Sequence, residues 1–408
     1  MGLASAMKQR NDALATGGGG FASPTGPPPG AGAYASPTGP PPGAQAGFAA
    51  PTGAPPGAQG GFAAPTGAPP GAQGGFAAPT GPPPGHPAGG FVSPAGPPQA
   101  YQAPAPVNTE PSLAQIMNVL KYTVADQGIQ PFYPATQQGR LEGIANHIIQ
   151  TRAVSTLAAR WRIPVEKALE FTKLALFDIV LFLDDSGSMR GYEDGARIED
   201  LKVIVNYVAF VASLFDADGI EVRFLNASTI ASGVKNEADV QKLIDANPFK
   251  GVTNLGKEMW SKVLDPLIVR PAQKGTLQKP VLVISITDGE PYPEPAGKIR
   301  EVIKDTKKAL KKSRYGEDAL SLQFAQVGND KAAQDFLEKL DNDSSIGGLV
   351  DVTSNYEWEQ AEIKRKTGKD LSPEDWLLKL LLGAVDTKFD AQDGAPIKKA
   401  GKFKKFFS

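Results

Sequence analysis

Phe177-Asp178-Ile179-Val180-Leu181-Phe182-Leu183 runs straight into Asp184-Asp185-Ser186-Gly187-Ser188. An apolar, β-branched run of that length, closed by a turn-forming cluster, predicts a buried strand ending at the aspartates. Two carboxylates and two hydroxyls are thereby crowded onto one tight turn at a sheet edge. Hard cations such as Mg2+ select oxygen ligands of this kind.

The surrounding pattern predicts an α/β chain. Leu201, Ile204, Val205, Val208, Val211 and Phe215 make 198–216 a helix that is apolar nearly all round, which implies burial against a sheet. Further strands are expected at 220–225, 281–286 and 320–327, with helices at 297–314 and 331–341. This alternation predicts a Rossmann-like, doubly wound, mainly parallel sheet. Right-handed crossovers bring the C-terminal strand ends to one edge, where ligands bind at a topological switch point.

Three loops are expected to meet there. Asp184, Ser186 and Ser188 follow the first strand, Thr253 lies in Lys250-Gly251-Val252-Thr253-Asn254-Leu255-Gly256 before a helix, and Asp288 ends the 281–286 strand. Two acids and three hydroxyls make a site for Mg2+, with Mn2+ or Ca2+ as alternatives. Because only two of the five groups are anionic, an external carboxylate is the natural sixth ligand. Asp185, Glu290 and Glu294 are the nearby acids that could alter the site, and Asp185 is expected to point away from it.

These positions resemble the von Willebrand factor A (VWA) family. Its metal-ion-dependent adhesion site uses Asp-x-Ser-x-Ser, a separated Thr and a later Asp, which Asp184, Ser186, Ser188, Thr253 and Asp288 match in order. Phe324-Ala325-Gln326-Val327-Gly328-Asn329-Asp330, leading into Phe336-Leu337-Glu338-Lys339-Leu340-Asp341, is similar to the family's penultimate strand and last helix, most like copine-type intracellular members. The resemblance covers about residues 177–355 and implies a divalent cation that engages an Asp or Glu of a partner protein. The C2 domains of copines are not evident, so calcium-triggered lipid binding is not implied.

The rest of the chain divides by composition. Residues 13–109 contain no Asp, Glu, Lys or Arg, while Gly, Pro and Ala dominate. Such a segment buries too little apolar surface to offset its chain entropy, so 1–109 is expected to be a disordered tail. An aromatic recurs at Phe21, Tyr34, Phe48, Phe62, Phe76, Phe91 and Tyr101, with Pro-rich units between. These units favour polyproline II and read as a spacer or as multivalent sticky points.

Residues 110–176 are expected to form a helical extension. Asn108-Thr109-Glu110-Pro111-Ser112 reads as a helix start, and Leu113, Ile116, Met117, Leu120 and Val124 form an apolar stripe. Residues 356–408 are expected to hold C-terminal helices, one capped by Ser372 with Pro373 in its first turn. The end of the chain mixes Lys398, Lys399, Lys402, Lys404 and Lys405 with Phe403, Phe406 and Phe407. That segment is either a solvated end or a peripheral contact with an anionic membrane.

Several function classes are excluded or disfavoured. With no cysteine, there are no disulfides, thiolate metal sites or cysteine nucleophiles. The formal net charge of −1 gives no field for nucleic acid. No stretch approaches 18 consecutive apolar residues and the N-terminus lacks a signal-peptide core, which points to a cytoplasmic protein with the nucleus as an alternative. The two histidines, His86 and His147, lie outside 177–355, and Ser186 lacks a G-x-S-x-G context. A non-enzymatic binding module is therefore the leading expectation. The alternatives are a scaffold driven by the aromatic repeat and a metal-dependent phosphotransferase with Asp184 as nucleophile.

Overall fold

Six segments pair edge to edge into one sheet: β1 (Asp178–Leu183), β2 (Ile220–Phe224), β3 (Ile230–Val234), β4 (Val281–Thr287), β5 (Leu320–Gln326) and β6 (Val350–Thr353). Their spatial order is β3-β2-β1-β4-β5-β6, and β3 alone runs antiparallel to its neighbour. The chain leaves β1 in one direction to β2 and β3, then returns to its other side for β4, β5 and β6. The switch point therefore lies between β1 and β4. Their register pairs Leu183 with Ile286, so both strands end at the same level. Every residue of β4 and β5 is buried, as a sheet covered on both faces requires.

The computed structural model describes residues 2–16, 109–346 and 348–388, and these belong to one compact unit. Its helices, in chain order, are α1 (Leu3–Thr16), α2 (Leu113–Asp126), α3 (Gln138–Gln150), α4 (Ala153–Trp161) and α5 (Val165–Glu170) before β1. Then come α6 (Gly187–Gly191), α7 (Ala196–Phe215) and α8 (Glu237–Asp245). Next, α9 (Leu255–Met259) continues through a π-helical stretch, Trp260–Val269, into α10 (Arg270–Lys274). The last are α11 (Gly297–Lys311), α12 (Lys331–Asp341), α13 (Tyr356–Thr367) and α14 (Pro373–Leu382). The repeat between Phe21 and Tyr101 and the Lys/Phe-rich end lie outside the described residues. No described helix is long and apolar enough to cross a membrane.

The helices of 110–176 share their core with the sheet. Leu120, Leu157, Trp161 and Phe171 join β1, β4 and β5 side chains in one apolar cluster. Local capping works as the sequence predicts at two helix starts, with one shift. Ser112, not the residue before Pro111, caps α2 in a reciprocal capping box with Gln115. Ser372 caps α14 by accepting from Asp375 N, and Pro373 occupies its first turn.

The start of the chain departs from the expected tail. α1 packs against α7 and α14, with Leu3 and Met7 buried. Ala4 N donates to Asp200 Oδ1 at 2.8 Å, and Arg10 pairs with Glu374 at 2.5 Å while donating to Trp161 O at 2.6 Å. The Gly/Pro composition that predicts disorder begins only after this segment, whose Ala, Leu, Met, Lys and Gln are good helix formers. Also unforeseen were β3, a polar edge strand with Ile230 largely exposed, and α8, a nine-residue helix capped by Asn236.

Burial of Leu3 gives α1 a measurable share of stability. Leu3→Ala is expected to lower the unfolding free energy by about 2 kcal/mol, near the low end for a buried leucine because the helix is terminal. A shift of the urea midpoint at unchanged slope would register it.

Candidate functional site

The ends of β1 and β4 deliver the first two acids. Asp184 N donates to Ile286 O at 2.9 Å, extending the strand pairing by one residue, so Asp184 stands beside the Thr287-Asp288 turn. Asp184 and Asp288 are both fully buried. Thr287 Oγ1 donates to Asp184 Oδ2 at 2.7 Å, and Ser186 N donates to Oδ1 at 2.9 Å. Both carboxylate oxygens of Asp184 are therefore fixed from two sides.

The hydroxyls complete a short chain. Ser186 Oγ lies 2.9 Å from Ser188 Oγ, which donates to Asp288 Oδ1 at 3.0 Å. Four of the five expected residues are thus joined: Asp184 through Ser186, then Ser188, then Asp288. Thr253 arrives differently. Gly187 N donates to Gly251 O at 3.1 Å, which holds the third loop against the first. Thr253 exchanges backbone hydrogen bonds of 2.8 and 3.0 Å with Tyr292, tying that loop to the one after β4. The Thr253 side chain is buried, and its hydroxyl takes no part in the hydrogen bonds that link the other four.

The donor set fits a small hard cation. Oxygens bound at right angles about 2.1 Å from Mg2+ lie about 3.0 Å apart. The Ser186–Ser188 and Ser188–Asp288 spacings match two such edges.

Electrostatics distinguish the two acids. Burial, and then the charge of Asp288, push the Asp184 carboxyl up to about 6. Burial also raises Asp288, against a guanidinium that favours its charge. That cation is Arg197, whose Nη1 lies 2.6 Å from Asp288 Oδ2. Arg197 is itself buried and held by Glu193 Oε1 at 2.8 Å, while its guanidinium faces the Tyr192 ring at 5.1 Å. Gly328, at φ +75°, gives the guanidinium its space, since a Cβ there would stand 2.5 Å from Arg197 Nε. Glu193 and Asp194, before Gly195, also take positive φ, a strained turn anchored where Glu193 accepts from Asn329 N at 3.1 Å. Sequence reasoning missed Arg197. Its one signal is an arginine one residue ahead of a helix predicted to be apolar all round.

The neighbouring acids have other work. Asp185 accepts from Asn226 N at 2.6 Å, Ala227 N at 2.9 Å, and the side chains of Asn226 and Asn247 at 3.1 and 3.2 Å. It ties the end of β2 and the loop after α8 to β1, and it faces away from Asp288. Glu294 caps α9, accepting from Gly256 N at 2.7 Å and Lys257 N at 2.9 Å. Glu290 is exposed.

Three exposed apolar side chains border this edge: Tyr192 after α6, Val252 beside Thr253, and Tyr292 opposite Thr253. Tyr292, at 73 % exposure, and Tyr192, at 61 %, are among the most exposed large apolar residues described.

A second acidic group lies at the opposite edge of the sheet. Asp178, Asp216 and Asp218 bring carboxylate oxygens within 4.8 Å of one another. Lys279 Nζ sits among them at 3.3, 2.7 and 2.9 Å, so an ammonium already occupies the cluster and offsets one of its three charges. Sequence distance hid this group, because only the fold brings position 178 beside 216 and 218.

In comparisons with known proteins, no family model matches the chain, and no curated protein matches it in sequence.

Adjacent aspartates should respond oppositely to mutation. Asp185→Ala removes a buried carboxylate that satisfies four donors and is expected to cost about 3–5 kcal/mol. Asp184→Asn keeps the shape and removes a charge facing Asp288, so its melting temperature in EDTA should equal or exceed wild type. A scan showing Asp184→Asn as damaging as Asp185→Ala would contradict these roles.

The Asp184 shift sets a pH dependence. Its folded value of about 6 lies above the unfolded value of about 3.9, so between the two the folded chain holds a proton that the unfolded chain releases. Its contribution to stability is complete below about pH 4 and is lost as pH rises through about 6. In EDTA, wild type should therefore gain on Asp184→Asn as pH falls from about 7 toward 4. Paired urea titrations across that range measure the difference.

Proposed function

We propose that this chain is a protein-binding module of the VWA type, in which a divalent cation, Mg2+ in the first instance, engages an acidic residue of a partner protein. The observation that carries the reading is the run of oxygens from Ser186 Oγ through Ser188 Oγ to Asp288 Oδ1, hydrogen-bonded at spacings compatible with a Mg2+ coordination sphere, with Asp184 tied to it through Ser186 N. Ser186, Ser188 and Asp288 would hold the cation, with Asp184 and Thr253 behind them. The cation would supply Lewis acidity toward an incoming oxygen ligand.

Charge selects the partner. Two carboxylates match the charge of a divalent cation, and the Arg197–Glu193 pair beside them adds no net charge, so the cation would not be over-neutralised and could still accept an anionic ligand. Tyr192, Val252 and Tyr292 offer apolar surface around that point, so the acid of the partner would sit among apolar neighbours. Residues 13–109 carry no carboxylate side chain, so the repeat cannot be that acid. It would add reach or valence.

A phosphotransferase reading is weaker. Asp184 is buried and both of its oxygens accept hydrogen bonds, which suits a positioning group better than a nucleophile.

Titration calorimetry with MgCl2 tests the metal, and capture from lysate in Mg2+ against EDTA tests the partner. Wild type should bind the ion and retain a partner only in Mg2+. Asp184→Asn should lose both while keeping its fold. Equal capture in EDTA, or equal ion binding by the variant, would overturn the reading.

A further inference from the structure

The other edge of the sheet carries a second feature, and it shares no residue with the site above. α10 ends at Lys274, capped by Gly275, upstream of β4, and α11 ends at Lys311, upstream of β5. Between them lies a cleft of about 550 Å3 lined by Lys274, Lys308, Lys312 and Arg314, together with Asp305 and Ser313. Asp305, Lys308 and Ala309 of α11 and its C-cap Lys312 recur at the three- and four-residue spacing of one helix face.

Four cations converge there from two elements. Lys274, Lys308, Lys312 and Arg314 are all exposed. Nearby lysines that do pair are accounted for, Lys298 with Glu301 and Lys307 with Glu317. Lys274, Lys308 and Lys312 have no carboxylate partner among the described residues. Lys304, Lys308 and Lys312 stand at successive i,i+4 positions, where like charges repel and destabilise a helix. The helix macrodipole accounts for lysines in the last turn of α11. It does not account for the convergence of Lys274 and Arg314 from outside that helix. Arg314 is already oriented, since Nη2 donates to Gly275 O at 2.7 Å and lies 2.8 Å from Tyr315 Oη. Tyr315 in turn stacks on Phe132 with centroids 4.8 Å apart.

We propose that this cleft binds a polyphosphorylated cyclitol, either free or as the headgroup of a lipid. Lysines and an oriented arginine are the donors that phosphate groups select. Asp305 and Ser313, set among them, suit ring hydroxyls and would disfavour a bare polyphosphate. A concave site of this volume fits a compact ring better than an extended nucleic-acid strand.

Calorimetry on the full chain tests it, with inositol trisphosphate, inorganic tripolyphosphate and phosphatidylcholine vesicles doped with phosphatidylinositol bisphosphate as probes. Inositol trisphosphate should bind more tightly than tripolyphosphate. Lys308→Gln/Lys312→Gln should weaken it by about tenfold or more with an unchanged melting temperature. Lys364→Gln/Lys366→Gln, which removes equal charge from α13, should bind as wild type. Binding to doped vesicles that soluble trisphosphate competes away assigns a headgroup, and binding of the soluble probe alone assigns the free compound. No binding at physiological salt would overturn the proposal, as would equal losses in both variants or a loss confined to replacing the five C-terminal lysines. Asp184→Asn should leave this binding intact, so failure here and failure of the Mg2+ site are read separately.

Discussion

Parallel pairing of β1 with β4 is the constraint on which the rest of this structure depends. It joins two buried, largely apolar strands in register, and it extends one hydrogen bond past them, from Asp184 N to Ile286 O. That bond brings two carboxylates separated by more than a hundred residues to the same level of the same edge. A slip of one residue would turn every side chain of one strand to the opposite face and separate the acids. Burial of both strands between helical layers makes such a slip prohibitive.

Charge placed at that junction has to be managed. Asp184 meets it with two hydrogen bonds and a raised pKa, and Asp288 with a buried arginine. Arg197 requires Glu193 beside it and the open space over Gly328, and Glu193 sits in a strained turn. Strain of this kind persists where surrounding contacts over-determine it. The chain thus builds a polar, pre-organised edge on a sheet whose central strands are largely apolar. Asp185 performs the opposite task one residue away, as a cross-brace between the loops.

Much of this was legible beforehand because local and long-range signals agree. The buried strands β1 and β4 read as largely apolar runs, and the cap of α14 follows from Ser372, whereas the cap of α2 falls at Ser112, after the proline expected in its first turn. The illegible parts were those where the local signal is weak or contradicted by context. β3 is exposed and polar, α8 is short, and α1 lies beside a long Gly/Pro-rich segment that dominates the composition. Arg197 was hidden because a lone arginine near an apolar helix start carries no pattern.

The strand–turn–helix alternation, the residue types at the strand ends and their order are readable from the sequence alone, because apolar periodicity and turn chemistry are local properties. The sequence also separated the charge-free repeat from the rest of the chain. Only the tertiary structure decided which oxygens meet, that Arg197 takes one face of Asp288, and that Asp185 serves the scaffold. It alone placed the basic cleft of α10 and α11 at the edge opposite Asp184 and Asp288. Those facts depend on distances between residues far apart in the chain, and only the packed sheet with its covering helices sets them.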